Sequence, residues 1–166
     1  SEEAKNLHAD LVFTFEVSPM TQALIGVWYG KRYNVPTYLY VQDLWPENVV
    51  TVTGIHNKMI ISAIDKMVDK IYRETNEIFT TSPSFVKAIV DRQVPVNKNK
   101  VHYWPQYAEE FYRPLHSVDM DYFDCADQSY KIAFTGNIGT AQGLDILPKT
   151  AHIMKKDNVK FIIVGS

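Results

Sequence analysis

Three short stretches of this sequence concentrate side chains that could do chemistry. Gln42-Asp43-Leu44-Trp45-Pro46-Glu47 follows an apolar run. Asp43 and Glu47 could accept hydrogen bonds from sugar hydroxyls or take a proton, and Trp45 could stack on a sugar face. The same residues would equally serve as a loop anchor, with Asp43 capping a turn and Trp45 filling core. Thr135-Gly136-Asn137-Ile138-Gly139-Thr140-Ala141-Gln142-Gly143 links an apolar run to an amphipathic one. Glycines there would let backbone N–H groups approach an anion such as a diphosphate, or would simply make a tight strand-to-helix turn. Tyr103-Trp104-Pro105-Gln106-Tyr107-Ala108-Glu109-Glu110-Phe111-Tyr112 gathers aromatics around a proline. It reads as a hinge, a stacking platform, or a linker packed on a core.

Other chemistries are disfavoured by spacing. His8, His56, His102, His116 and His152 form neither HExxH nor a His/Cys pair, so no metal is expected. The single cysteine, Cys125, excludes an intrachain disulfide and a Cys-rich zinc site. It sits among Asp119, Asp121, Asp124 and Asp127, which would raise its thiol pKa and disfavour a nucleophilic role. The glycine-bearing turn is neither a Gly-Lys-Ser/Thr phosphate loop nor a G-x-G-x-x-G fingerprint, and no Gly-x-Ser-x-Gly elbow occurs.

The elements that must position these stretches alternate. Strands are expected at 10–15, 36–41, 77–81, 100–104, 131–135 and 161–164, from β-branched and aromatic enrichment. Helices are expected at 20–33, with Ala23, Leu24, Val27 and Trp28 on one face, at 55–73, with Ile60, Ile64, Met67, Val68 and Ile71 recurring at three and four, and at 85–92 and 143–155. Ser18-Pro19 and Ser82-Pro83 read as helix openings with Ser at the N-cap, and Asn34 as a helix C-cap. This order argues for an α/β fold with a parallel sheet, which takes ligands beyond the carboxyl ends of its strands. The strand exits, carrying Ser18, Gln42-Asp43, Ser82, Trp104-Pro105-Gln106 and Gly136-Asn137-Ile138-Gly139, are therefore the first place to look for function.

The 166 residues are 46% hydrophobic and 22% charged with a net charge of −2, a globular composition without the basic balance of a nucleic-acid binder. The opening Ser1-Glu2-Glu3-Ala4-Lys5 lacks the order of a signal peptide, and a reducing, cytoplasmic setting is expected. With no initiator Met and an abrupt end after the Phe161–Val164 run, the chain reads as a fragment.

Taken in order, the three motifs resemble the GT-B glycosyltransferases of the large retaining family 4, in the capsule and O-antigen branch that includes fucosamine transferases. The likeness rests on Val41-Gln42-Asp43-Leu44-Trp45-Pro46-Glu47, on Trp104-Pro105-Gln106-Tyr107-Ala108-Glu109 with Arg113-Pro114 downstream, and on Phe134-Thr135-Gly136-Asn137-Ile138-Gly139-Thr140-Ala141-Gln142-Gly143-Leu144-Asp145. It implies Rossmann-like parallel sheet layers truncated at both ends. Residues 1–112 would form the later part of the acceptor-side domain, 113–129 a linker, and 130–166 the first βαβ of the nucleotide-sugar domain. It implies retaining transfer of a sugar from a nucleotide-sugar donor, UDP-linked, to a lipid-linked glycan acceptor in surface polysaccharide assembly, with no metal or other cofactor. Gly136, Asn137, Gly139 and Gln142 would meet the donor diphosphate. Asp43 would be the catalytic candidate, and Gln42, Trp45, Glu47, Ser82 and Gln106 would line the substrate cleft. Many relatives carry Arg and Lys where this chain has Asn137 and Gln142, and the family's Glu-x7-Glu motif and N-terminal Gly-rich loop lie outside the sequence. The fragment itself is expected to be inactive or nearly so, and oligomers could form through edges that truncation exposes. Peripheral membrane contact at the inner face is implied for the full protein, although no basic amphipathic helix is read in this chain. A GT-B sugar-nucleotide epimerase and a non-catalytic α/β interaction module are the alternatives.

Overall fold

The computed structural model describes residues 8–94, 96–114 and 128–166, so Cys125, His116, its acidic neighbours and most of the expected 113–129 linker lie outside the described residues. The chain divides into two compact units, Ser1–Glu109 and Glu110–Ser166.

The first unit holds β1 (Val12–Glu16), α1 (Ala23–Tyr33), β2 (Thr37–Val41), α2 (Glu47–Thr53), α3 (Lys58–Glu74), β3 (Glu77–Thr80), α4 (Pro83–Val90) and β4 (Val101–Tyr103). The strands form one parallel sheet in the order β1-β2-β3-β4. The α/β expectation is therefore met. Register fixes the faces: Val12, Thr14 and Glu16 align with Thr37, Leu39 and Val41. On that side a core closes from Met20, Ala23 and Val27, Leu39 and Val41, Val68, Ile71 and Tyr72, with Ile78, Ile89, Val96 and Val101. The other side carries Phe13, Phe15, Tyr38, Tyr40, Phe79 and His102 in an array of ring contacts, for example Phe15 to Tyr40 at 5.5 Å and Phe79 to His102 at 5.4 Å. Phe13 and Phe15 remain exposed, and a 530 Å³ hollow runs over Phe13, Tyr38, Phe79, His102, Tyr103 and Trp104.

Several element expectations are corrected. The first helix opens with a 3-10 turn at Met20–Gln22, and Ser18 does not cap it. Trp28 does not share the core face with Ala23 and Val27; it is 54% exposed and meets Tyr33 edge-on at 6.4 Å. The glycines explain why. A Cβ on Gly26 would fall 2.8 Å from Thr14 Oγ1, and one on Gly30 2.2 Å from Thr37 Cγ2, so α1 lies close on β1 and β2 through these two positions. Glu47, expected in a loop, starts α2, where its carboxylate suits the positive helix end. The long helix begins at Lys58, not Ile55, because Asn57 Oδ1 accepts the N–H groups of Met59 and Ile60. The Ser82 cap holds, its Oγ accepting from Ser84 N at 3.2 Å, and Asn34 ends α1 in the left-handed conformation.

The second unit contains β5 (Tyr130–Thr135), α5 (Ile146–Ile153) and β6 (Val159–Val164), with β5 and β6 parallel in a two-stranded sheet. The expected helix over 143–155 is shorter and begins later. A 3-10 turn at Thr140–Gln142 and a left-handed Gly143 stand between the glycine-bearing turn and α5.

Candidate functional site

In the first unit, polar side chains converge where β1 and β2 end. Ser18 is the hub. Its Oγ donates to Asp43 Oδ2 at 2.9 Å and accepts from Trp45 Nε1 at 3.2 Å and Asn48 Nδ2 at 3.1 Å. The β1 exit, the β2 exit and the first turn of α2 are thus tied to one hydroxyl. Asp43 keeps its second carboxylate oxygen outside this bond, at the carboxyl edge where open α/β sheets take ligands. Trp45 is half-buried against the core, its indole N–H spent on Ser18 and its carbonyl accepting from Arg92 at 3.3 Å. Both readings of Trp45 therefore meet in one residue: its body packs on the core while its polar edge organises the exit.

Arg92 fixes this loop from behind. Its Nε donates to Asp69 at 2.6 Å, a second nitrogen donates to Asp65, and its guanidinium sits 5.6 Å from the Tyr72 ring. Burial alone would lower the Arg92 pKa, but Asp69 and Asp65 outweigh it and the net shift is upward.

Beneath the hub lies a group that the sequence reading did not single out. Glu16, the last residue of β1, is fully buried and neither carboxylate oxygen completes a hydrogen bond. Burial pushes its pKa up from 4.5 to about 7. The backbone N–H groups of Asp43 and Gln42 pull it back down, and the Asp43 carboxylate adds to the rise. Tyr72 Oη, Gln42 Nε2 and Gln22 Nε2 are buried without partners as well. Burial also raises the Tyr72 phenol pKa, with Glu16 contributing. The signal available in the sequence was the charge itself: Glu16 closes an apolar strand in phase with Val12 and Thr14.

The remaining cleft candidates of this unit are spread along the same strand ends. Gln42 donates its backbone N–H to Glu16 O at 2.9 Å. Ser82 is occupied by its cap and by Ser84 Oγ at 2.7 Å. Gln106 Oε1 lies 3.4 Å from Tyr40 Oη, which also donates to Trp104 O at 3.0 Å, so this segment is pinned to the sheet. Trp104 packs on Tyr40 and Phe79, while Tyr107 is exposed. Glu47 is exposed and takes no part in the Ser18 hub.

In the second unit, the turn after β5 is built on Gly136, whose φ of +149° favours glycine. Its N–H donates to Val164 O at 3.0 Å, and Ile138 N–H donates to Ser166 O at 3.1 Å. A Cβ on Gly165 would lie 1.8 Å from Gly136 O, so the two strand exits touch backbone to backbone. Gly139 N–H donates to Gln142 Oε1 at 3.1 Å. Of these N–H groups, Gly136 and Ile138 are engaged by the end of β6, and Gly139 is engaged within the turn by Gln142, which caps it through its side-chain oxygen. Asn137 is exposed. Among the described residues no three His, Cys, Asp or Glu side chains gather as a metal site.

Compared with known protein families and with curated proteins, the chain matches none.

Proposed function

We propose that this chain is the central part of a GT-B glycosyltransferase, moving a sugar from a UDP-linked donor to a lipid-linked glycan acceptor in bacterial surface polysaccharide assembly. The observation that carries the reading is the Ser18-centred hub, which holds Asp43 at the carboxyl edge of a parallel sheet. Sugar hydroxyls suit such an edge, because a carboxylate accepts their hydrogen bonds with well-defined direction. Asp43 is the group that would orient or deprotonate an acceptor hydroxyl, and Ser18 and Asn48 position it.

The donor diphosphate falls to the turn after β5. Gly139 N–H is the donor a phosphate oxygen would claim, and Gln142 Oε1 fills that place when no ligand is bound. Ligand binding would swing Gln142 away and leave its amide free to donate, with Asn137 at the open side. With no Arg or Lys in this turn, charge on the leaving diphosphate is met by N–H and amide groups alone, so donor affinity should be low.

The test is turnover. The full-length protein containing this stretch is incubated with UDP-sugars and a prenyl-linked sugar acceptor, and UDP release is followed beside product analysis with donor alone. Acceptor-dependent UDP release that falls at least about a hundredfold in Asp43→Asn supports a transferase with an acid–base role at that carboxylate. Interconversion of the donor sugar without acceptor points to the epimerase. UDP binding by the full-length protein without turnover leaves the donor site standing and overturns the transferase reading.

A further inference from the structure

Glu16 closes β1 two residues before Ser18, fully buried and outside the Ser18 hydrogen bonds. Its two carboxyl oxygens are acceptors without a donor. Buried donors without acceptors come from three neighbouring elements: Gln22 Nε2 from the 3-10 turn packed on β1, Gln42 Nε2 from the β2 exit, and Tyr72 Oη from α3. Acceptors and donors are thus buried without closing on each other, an arrangement that suits a neutral carboxyl and is ready for a charged one. Glu16 also meets the Asp43 loop from beneath. Its backbone oxygen accepts from Gln42 N at 2.9 Å, and the Asp43 backbone N–H faces its carboxyl. The titratable and charged groups on the elements around it are Asp43 at the β2 exit, Glu47 on α2, Asp65, Asp69 and Tyr72 on α3, and Arg92 after α4. The 3-10 turn brings none. Arg92 is spent on Asp65, Asp69 and the Trp45 carbonyl, so among these described residues no cation is left to fix Glu16 as a carboxylate.

We propose that Glu16 is a positioning residue for Asp43: neutral, it leaves Asp43 held by Ser18 at the sheet edge, and ionised, it draws the Asp43 backbone inward, repels the Asp43 carboxylate and loosens that hold. An ionised Glu16 gains charge-assisted hydrogen bonds from the Asp43 N–H, Tyr72 Oη and the Gln42 amide, against the cost of burying a charge. The two nearly balance close to neutrality, where burial has moved the Glu16 pKa to about 7. The consequence for catalysis rests on the transferase reading: an acceptor hydroxyl meets a well-placed Asp43 only while Glu16 keeps its proton.

The Trp45 indole N–H, which donates to Ser18 Oγ, reports on the hub. Its NMR signal is followed between about pH 5 and 9 in the full-length protein containing this stretch. One titration with a midpoint of about 7 is expected, and it should be absent in Glu16→Gln, whose amide keeps the shape without the charge. Tyr72→Phe removes a donor to the charged form and should move the midpoint upward. Acceptor-dependent UDP release is measured beside it. In the parent it should fall about tenfold per pH unit above 7, and Glu16→Gln should exceed the parent about tenfold at pH 8. An unchanged Trp45 titration in Glu16→Gln, no titration in the parent, or UDP release that falls equally in both proteins would each overturn the proposal. A Trp45 titration that Glu16→Gln removes, in a protein without turnover, supports the coupling of Glu16 to the hub and overturns the transferase reading instead.

Discussion

The two units use the same parallel strand grammar with different support. In the first, four strands and their helices bury Leu39, Val41, Val68, Ile71, Tyr72 and Ile78 completely or nearly so. In the second, β5, α5 and β6 bury no described residue, and Ile146 and Ile153 of the helix are exposed. A two-stranded sheet with one short helix is marginal alone. The consequence for function is a division of labour. The Ser18 hub is held from beneath by a packed core and by Arg92. The glycine-bearing turn is held by backbone carbonyls at the end of β6, through Gly136 and Ile138, and by the Gln142 side chain, through Gly139. A firmly held strand edge in the first unit and a lightly supported turn in the second follow from where the apolar side chains are.

The contrast can be broken most severely at Arg92. Arg92→Met strands Asp69, which is buried, and should cost the first unit about 3–5 kcal/mol in urea unfolding. A loss under 1 kcal/mol would mean the loop is not fixed from behind. Next is Glu16. Its pKa is about 7 in the folded state against 4.5 for an ordinary glutamate, so the folded state holds the proton more tightly. Stability from this group is full below pH 4.5 and is lost as pH rises through 7. Glu16→Gln should match the parent at pH 4.5 and exceed it by about 3 kcal/mol at pH 8, read from denaturant midpoints at each pH. Parallel pH profiles for the two proteins would refute the buried acid. Ser18→Ala removes the meeting point of three hydrogen bonds and should cost about 1–3 kcal/mol while loosening Asp43. The smallest effect sharpens the comparison from the other side. Ile163→Ala, in an exposed strand position of the second unit, should cost under about 1 kcal/mol, whereas Leu39→Ala in the first should cost about 2–5 kcal/mol. Equal costs would erase the distinction between the units.

The strand positions and the α/β class were legible because β-branched and aromatic runs alternate with three-and-four periodicity, as around Ile64, Met67, Val68 and Ile71. The Asp43 exit was legible for the same reason: it lies just past such a run. Ser18 was misassigned because Ser-Pro has the local form of a cap, while its actual partners lie 25 to 30 residues away. The helix at Glu47–Thr53 was hidden by Val49, Val50 and Thr51, whose β-branched side chains favour strands, although Val49 is buried in the folded unit. Glu16 could be placed on the buried side only once the β1–β2 register was known. Tertiary partners, not local propensity, decide each of these cases.

The most direct measurement of the central claim is a set of backbone amide NMR shifts recorded as UDP is titrated into the protein. The account predicts saturable shifts centred on Asn137, Gly139 and Gln142, with the Gly139 amide moving furthest as Gln142 Oε1 is displaced. No shifts at millimolar UDP, or shifts confined to the opposite strand ends around Gly30 and Asn34, would contradict it.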